Sequence, residues 1–265
     1  MEKTTAGDGV AYEAASMGGV AGWWCRPANV LNDCAVLYLH GGAYVLGSAA
    51  AYRNFCGQIV ARAGAAVFVV EYGLAPEHPF SEALDDAEAV YCGLAEAGFS
   101  KLVIAGDSAG GGLALCLMQS VIASATQHQG QMPVAGVVVS PWTDLALTGE
   151  SLTTHADDDP LLTRDMLDEA ALLYLGDHNR HDPKASPLYG DFTGFPPVLI
   201  HVGEDEVLLD DSRRVAEHIE AAGGSVQLNV WKGMTHVFAS NLMLQAAKEA
   251  LDQIGNFLLQ HFVSN

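Results

Sequence analysis

A chain of 265 residues, half of them hydrophobic and 17% charged, can bury one large core and is too apolar to be a disordered chain. A net charge of −20 opposes nucleic-acid phosphates and anionic membrane surfaces, so neither is expected as a partner. No run of residues is long and apolar enough to span a bilayer, no signal-peptide pattern opens the chain, and five scattered cysteines (Cys25, Cys34, Cys56, Cys92, Cys116) read as reduced core thiols, so the expected compartment is the cytoplasm.

Residues 1–19 are small, polar and glycine-bearing, with no clear period. Val20–Pro27 has a β-like centre and ends at a proline, which predicts an edge strand. Cys34–Leu39 is a continuous apolar run, as for a strand buried on both faces, and it leads into His40-Gly-Gly-Ala-Tyr44. A helical pattern over 49–64 precedes a second buried strand over 65–72. The loop Gly73–Pro79 then leads to an amphipathic helix over 80–97. A short strand, Leu102–Ala105, turns through Gly106-Asp-Ser-Ala-Gly110 into a helix over about 109–125, followed by a polar loop, Gln127–Met132. Another apolar strand ends in Ser140-Pro-Trp-Thr-Asp144.

Residues 145–195 break the rhythm with an acidic cluster, Asp157–Asp159, a helix near Arg164–Leu175 and a His/Asp/Pro-rich loop; they read as an insertion over a sheet edge. The alternation resumes with a strand over 197–202, a helix near 210–222, a strand over 225–231 and a last helix over about 240–262. Strands alternating with helices predict one α/β domain over 1–265, a mostly parallel sheet with helices on both faces. In such sheets ligands bind beyond the carboxyl ends of the strands. His40, Ser108, Ser140, Gly203-Glu-Asp205 and Met234-Thr-His236 all fall there.

Ser108 lies on a tight strand-to-helix turn, the arrangement of a nucleophile elbow. Side chains at 106 or 110 would crowd that turn. A phosphate loop is the rival reading, but no Gly-Lys-Ser/Thr follows and Asp107 would repel phosphate. A serine hydroxyl needs a base, and the base needs a carboxylate to hold its tautomer. Of ten histidines, His236 follows the last strand and is the candidate base. Asp205, after the preceding strand, is the candidate acid, with Glu204 its main rival among several neighbouring carboxylates. The amides of Gly41, Gly42 and Ala109 are the candidate oxyanion donors. His201 reads as a sheet histidine and His78 as a loop brace. His155, His178 and His181 lie near Asp157–Asp159 without a regular ligand spacing, so no metal and no cofactor is expected. Trp23, Trp24, Tyr44 and the insertion are candidates for shaping the pocket.

Together these segments resemble the hormone-sensitive-lipase-like (family IV) microbial carboxylesterases. The resemblance rests on His40-Gly-Gly-Ala-Tyr44, Tyr72-Gly-Leu-Ala-Pro-Glu-His-Pro-Phe80, Gly106-Asp-Ser-Ala-Gly-Gly111, Ser140-Pro-Trp-Thr-Asp144 and His236-Val-Phe238. It covers roughly residues 20–262 and implies an α/β-hydrolase fold with an eight-stranded sheet. It implies hydrolysis of short-acyl esters through a Ser-His-Asp acyl-enzyme, without a cofactor. The chain is similar also to monoterpene ε-lactone hydrolases, so an ester or a lactone is the expected small-molecule substrate. A non-catalytic small-molecule binder on the same fold is the alternative of a different class. Asp205-Glu-Val stands where many members have Asp-Pro-Leu or Asp-Pro-Ile. His40 comes early, so the cap, drawn from about 1–19 and 145–195, is expected to have a shortened N-terminal part and a more open pocket. Relatives often pair at the last strand, which implies a homodimer.

Overall fold

The computed structural model describes residues 4–124 and 131–263. Its strands are β1 (Val10–Met17), β2 (Val20–Pro27), β3 (Cys34–Leu39), β4 (Ala66–Val70), β5 (Lys101–Asp107), β6 (Ala135–Val139), β7 (Val198–Gly203) and β8 (Val226–Trp231). They form one sheet in the order β1-β2-β4-β3-β5-β6-β7-β8. Only β1 with β2 and β2 with β4 pair antiparallel; the rest of the sheet is parallel. The helices are α1 (Ala49–Ala63), α2 (Glu82–Glu96), α3 (Ser108–Ala123), α4 (Ser151–Thr154), α5 (Arg164–Leu175), α6 (Leu209–Ala221) and α7 (Gln245–Val263).

The central strands are apolar at successive positions because both faces are covered. Leu37, Leu39, Phe68 and Ile104 face a core completed by α2, α3 and α6. Val36, Tyr38, Val67 and Val103 alternate to the other side, against α1 and α7. Each such side chain contributes on the order of 1.5–3 kcal/mol by leaving water. The parallel strands send β3, β5, β6, β7 and β8 toward the same sheet end, and the loops that follow them meet there.

Two expectations about the N-terminus are corrected. Residues 10–17 are the edge strand β1 and add no part to a cap; small, exposed residues such as Ala11, Ala14 and Ser16 hide its alternation. Gly18 and Gly19, at φ 58° and 87°, close the β1–β2 hairpin. β2 is consequently an interior strand, and Pro27 merely ends it. The last helix begins at Gln245, after a 3₁₀ turn over Phe238–Ser240. Residues 127–130 of the expected polar loop lie outside the described residues.

Residues 145–195 hold α4, α5 and a 3₁₀ turn, Pro187–Tyr189. Several contacts fasten this segment near the carboxyl ends of the strands, among them the following two. Asp159 Oδ2 accepts the amide of Val207 at 3.0 Å, beyond β7. Tyr174 of α5 stacks on Tyr44 beyond β3, with ring centroids 4.0 Å apart and planes at 4°.

Candidate active site

Ser108 is the first residue of α3 and has φ 53°, a left-handed conformation that a non-glycine residue adopts at a cost. The turn tolerates no side chains around it. A Cβ on Gly106 would lie 2.2 Å from Gly110 O, and one on Gly110 would lie 2.1 Å from Leu39 O. The elbow expected from the Gly106–Gly110 spacing is therefore present as a steric fact.

His236 Nε2 lies 2.9 Å from Ser108 Oγ. Its other ring nitrogen, Nδ1, lies 2.8 Å from Glu206 Oε2. Glu206 is fully buried, and its Oε1 accepts the amide of Gly203 at 2.5 Å and the hydroxyl of Ser140 at 2.8 Å. These contacts set the tautomer: Nδ1–H donates to Glu206, leaving Nε2 to accept the serine proton. Burial opposes a charged imidazole. The hydrogen bond and charge of Glu206, with the charges of Asp159 and Asp107, outweigh it and raise the His236 pKa above the ordinary 6.5.

The expectation for Asp205 is corrected here, since the carboxylate facing His236 belongs to the next residue. The amide of Asp205 donates to Met234 O at 3.0 Å, and its side chain is half-exposed. Residues 204 and 205 form a turn that leaves Asp205 half-exposed, and the chain leaving that turn carries Glu206 into the interior. Glu204, the other rival, only accepts the amide of Gly233 at 3.4 Å. A signal for Glu206 was available. It immediately precedes the apolar run Val207–Leu209, which is buried and carries the chain into the core.

Ser140 is a functional residue whose role the sequence left unassigned. Its Oγ donates to Glu206 and accepts the amide of Val237 at 3.1 Å, so one hydroxyl ties the acid loop to the loop carrying His236.

The oxyanion expectation is corrected in part. Gly41 N–H is spent on Asp107 Oδ1 at 3.1 Å. Among the described residues, the amides of Gly42, Ala43 and Ala109 have no partner within the chain. Gly42, at φ 130°, could not carry a side chain: its Cβ would lie 2.0 Å from Leu46 O. His40 is buried beneath this loop, stacked on Tyr72 at 4.3 Å, with Nδ1 2.9 Å from Gly41 O. Burial brings its pKa down to about 4, so it is neutral and structural.

The remaining candidates are scattered. Trp231 Nε1 donates to His201 Nδ1 inside the sheet at 2.7 Å, and His78 pairs with Glu82. His155 meets Thr154, His178 meets Phe80 and His181 meets Tyr189. Trp24 packs in the core on Phe68 and Phe99, and Trp23 lies under Arg53, so neither shapes a pocket at Ser108.

Comparison with known proteins gives the same architecture. A family model described as the alpha/beta hydrolase fold matches residues 36–240. The chain is 40% identical over 238 residues to an acetyl-hydrolase of Streptomyces hygroscopicus, covering 89% of this chain and 78% of that one. It is 38% identical over 226 residues to an esterase of Acinetobacter venetianus, covering 84% and 73%. A crystal structure of an esterase from the bacterial hormone-sensitive lipase family superposes with a TM-score of 0.92 at 39% identity, covering 97% of this chain and 86% of the other. On its fold, its family match and these likenesses, the chain belongs to the hormone-sensitive-lipase-like esterases of the α/β-hydrolase fold.

Proposed function

We propose that this carboxylic ester hydrolase cleaves short-acyl esters with Ser108 as nucleophile, His236 as base and Glu206 as the acid that orients it. The observation that carries the residue roles is the unbroken line Glu206–His236–Ser108, with contacts of 2.8 and 2.9 Å. The short-acyl preference is drawn from likeness to the acetyl-hydrolase.

In the first step Ser108 Oγ bonds to the ester carbonyl carbon while its proton passes to His236 Nε2. Glu206 stabilises the imidazolium that results. The negative charge gathers on the former carbonyl oxygen, where the unspent amides of Gly42 and Ala109, with Ala43 beside them, supply donors. Collapse breaks the bond to the alcohol oxygen, which takes the proton from Nε2. Water then gives a proton to the same nitrogen and attacks the acyl-serine, and the reverse transfer returns Ser108 and releases the acid.

A lactone reacts by the same steps, with the alcohol remaining tethered to the acyl group. Because residues 10–17 are committed to the sheet, the cap consists of residues 145–195, which supports an open acyl or alcohol pocket. The non-catalytic alternative is disfavoured by the strained φ of 53° at Ser108, a cost that a passive pocket has no use for. Ser108→Ala should lower kcat on p-nitrophenyl butyrate by about a million-fold; wild-type turnover would refute the reading. A matched ester, lactone and amide panel then fixes the substrate class.

The free edge of β8, paired only to β7, supports a homodimer formed there. Light scattering should give twice the mass of one chain, and a monomer at assay concentration would remove this proposal.

A further inference from the structure

We infer that Asp107 is a positioning residue: it holds the oxyanion loop in place and supplies a further negative charge to His236. The inference rests on the roles proposed for Ser108 and His236.

Asp107 occupies the N-cap position of α3, with φ −128° and ψ 150°. An aspartate there ordinarily accepts an amide from the first turn of its own helix. Asp107 makes no such bond. Its carboxylate turns across the sheet instead. Oδ1 accepts the hydroxyl of Tyr38 at 2.8 Å and the amide of Gly41 at 3.1 Å, and Oδ2 accepts the hydroxyl of Tyr52 at 3.0 Å. The diversion has two effects. It leaves the amide of Ala109 unspent at the helix start, and it pins Gly41 directly before the two loop amides that remain free.

The fit is close. A Cβ on Gly41 would lie 2.5 Å from Asp107 Oδ2, and 3.0 Å from both Ser108 Cβ and the Tyr52 hydroxyl. The loop is thus clamped between the carboxylate and the nucleophile's own side chain. Removing the carboxylate would leave two tyrosine hydroxyls and a backbone amide buried without an acceptor.

The groups facing Asp107 explain where its charge acts. They are Tyr38 from β3, Tyr52 and Cys56 from α1, Tyr72 after β4, and His236 from the loop after β8. Burial holds the tyrosines and the thiol well above their ordinary pKa values, so they are neutral. His236 is therefore the group among them that becomes a cation during catalysis. It also faces Glu206 and Asp159. Burial pushes Asp107 itself up to about 6, so it is mostly ionised at neutral pH.

The test is Asp107→Asn, which keeps the shape and an acceptor for Gly41 but removes the charge. We expect kcat on p-nitrophenyl butyrate to fall about tenfold or more with KM within about twofold. The acidic limb of the kcat/KM profile should move to lower pH by about half a unit, because a negative charge near the base has gone. A purely structural role would not move that limb. Wild-type kcat with an unmoved limb overturns the inference. If the variant does not fold, the double variant Tyr38→Phe/Tyr52→Phe decides, since it keeps the carboxylate but frees it from two of its three holders. A severalfold loss of kcat at constant KM supports the inference, and wild-type kcat overturns it. Ser108→Ala separates the two levels: if it retains activity the parent reading has failed, whereas a dead Ser108→Ala beside a normal Asp107→Asn condemns this inference alone.

Discussion

The nucleophile turn and the acid loop lie at the ends of nearby parallel strands and serve the same proton transfer, yet they are specified differently. The turn is specified by exclusion. Gly106 and Gly110 meet backbone oxygens at distances where no Cβ fits, so alternatives at those positions are removed sterically. The acid loop is specified by choice among near equals. Glu204, Asp205, Glu206, Asp210 and Asp211 carry the same chemistry, and only the direction each faces separates them. Steric exclusion is local and survives in the residue types. Direction is set by the partner strand's loop, here through Met234 O, and is invisible to residue type.

The sharpest way to break this contrast is Glu206→Gln. It should lower kcat by about 10³–10⁴-fold, because the amide holds His236 without stabilising its cation. In the wild-type enzyme the neutral imidazole is the base and its pKa is raised, so kcat/KM should fall on acidification through a point above pH 6.5. In the Gln variant burial prevails, and that limb should move down. The linked stability runs the other way. With the folded pKa raised, the contribution of the His236–Glu206 pair is fully present below pH 6.5 and is lost as pH rises through the folded value. Denaturant titrations at several pH values would read it.

Gly110→Ala tests the excluded side of the comparison. Its Cβ would sit 2.1 Å from a backbone oxygen, and overpacking against an immovable neighbour costs about 3 kcal/mol or more. A clear fall in Tm is expected; an unchanged Tm would show that the turn is not sterically specified. Ser140→Ala should be milder, at about tenfold in kcat, since it removes one donor from Glu206 and orphans the amide of Val237. The smallest effect is expected for Asp205→Asn. With its side chain half-exposed and away from His236, kcat should stay within about twofold, and a loss matching that of Glu206→Gln would reverse the assignment.

This difference also accounts for which features are legible in the sequence. That Ser108 and His236 lie together is legible in the sequence because each is tied to a strand end and to a spacing with few substitutes. The buried strands β3 and β4 were legible because burial on both faces demands continuous apolar runs. The acid was displaced by one residue, since near-identical carboxylates crowd the loop. The first strand is hard to read because Ala11, Ala14 and Ser16 blur the alternation, although Gly18-Gly19 marks the turn. The sequence suggests Gly41 as a donor because it cannot show that a carboxylate distant in the chain, Asp107, claims the Gly41 amide.

The stack of Tyr174 on Tyr44 joins α5 to the same loop that carries Gly42 and Ala43. A bulky substrate that levers α5 aside would drag the oxyanion donors out of register even while it is well held. Such a molecule would bind and then stall. Selectivity in this enzyme should therefore be written in turnover more than in affinity, with poor substrates behaving as competitive inhibitors of good ones.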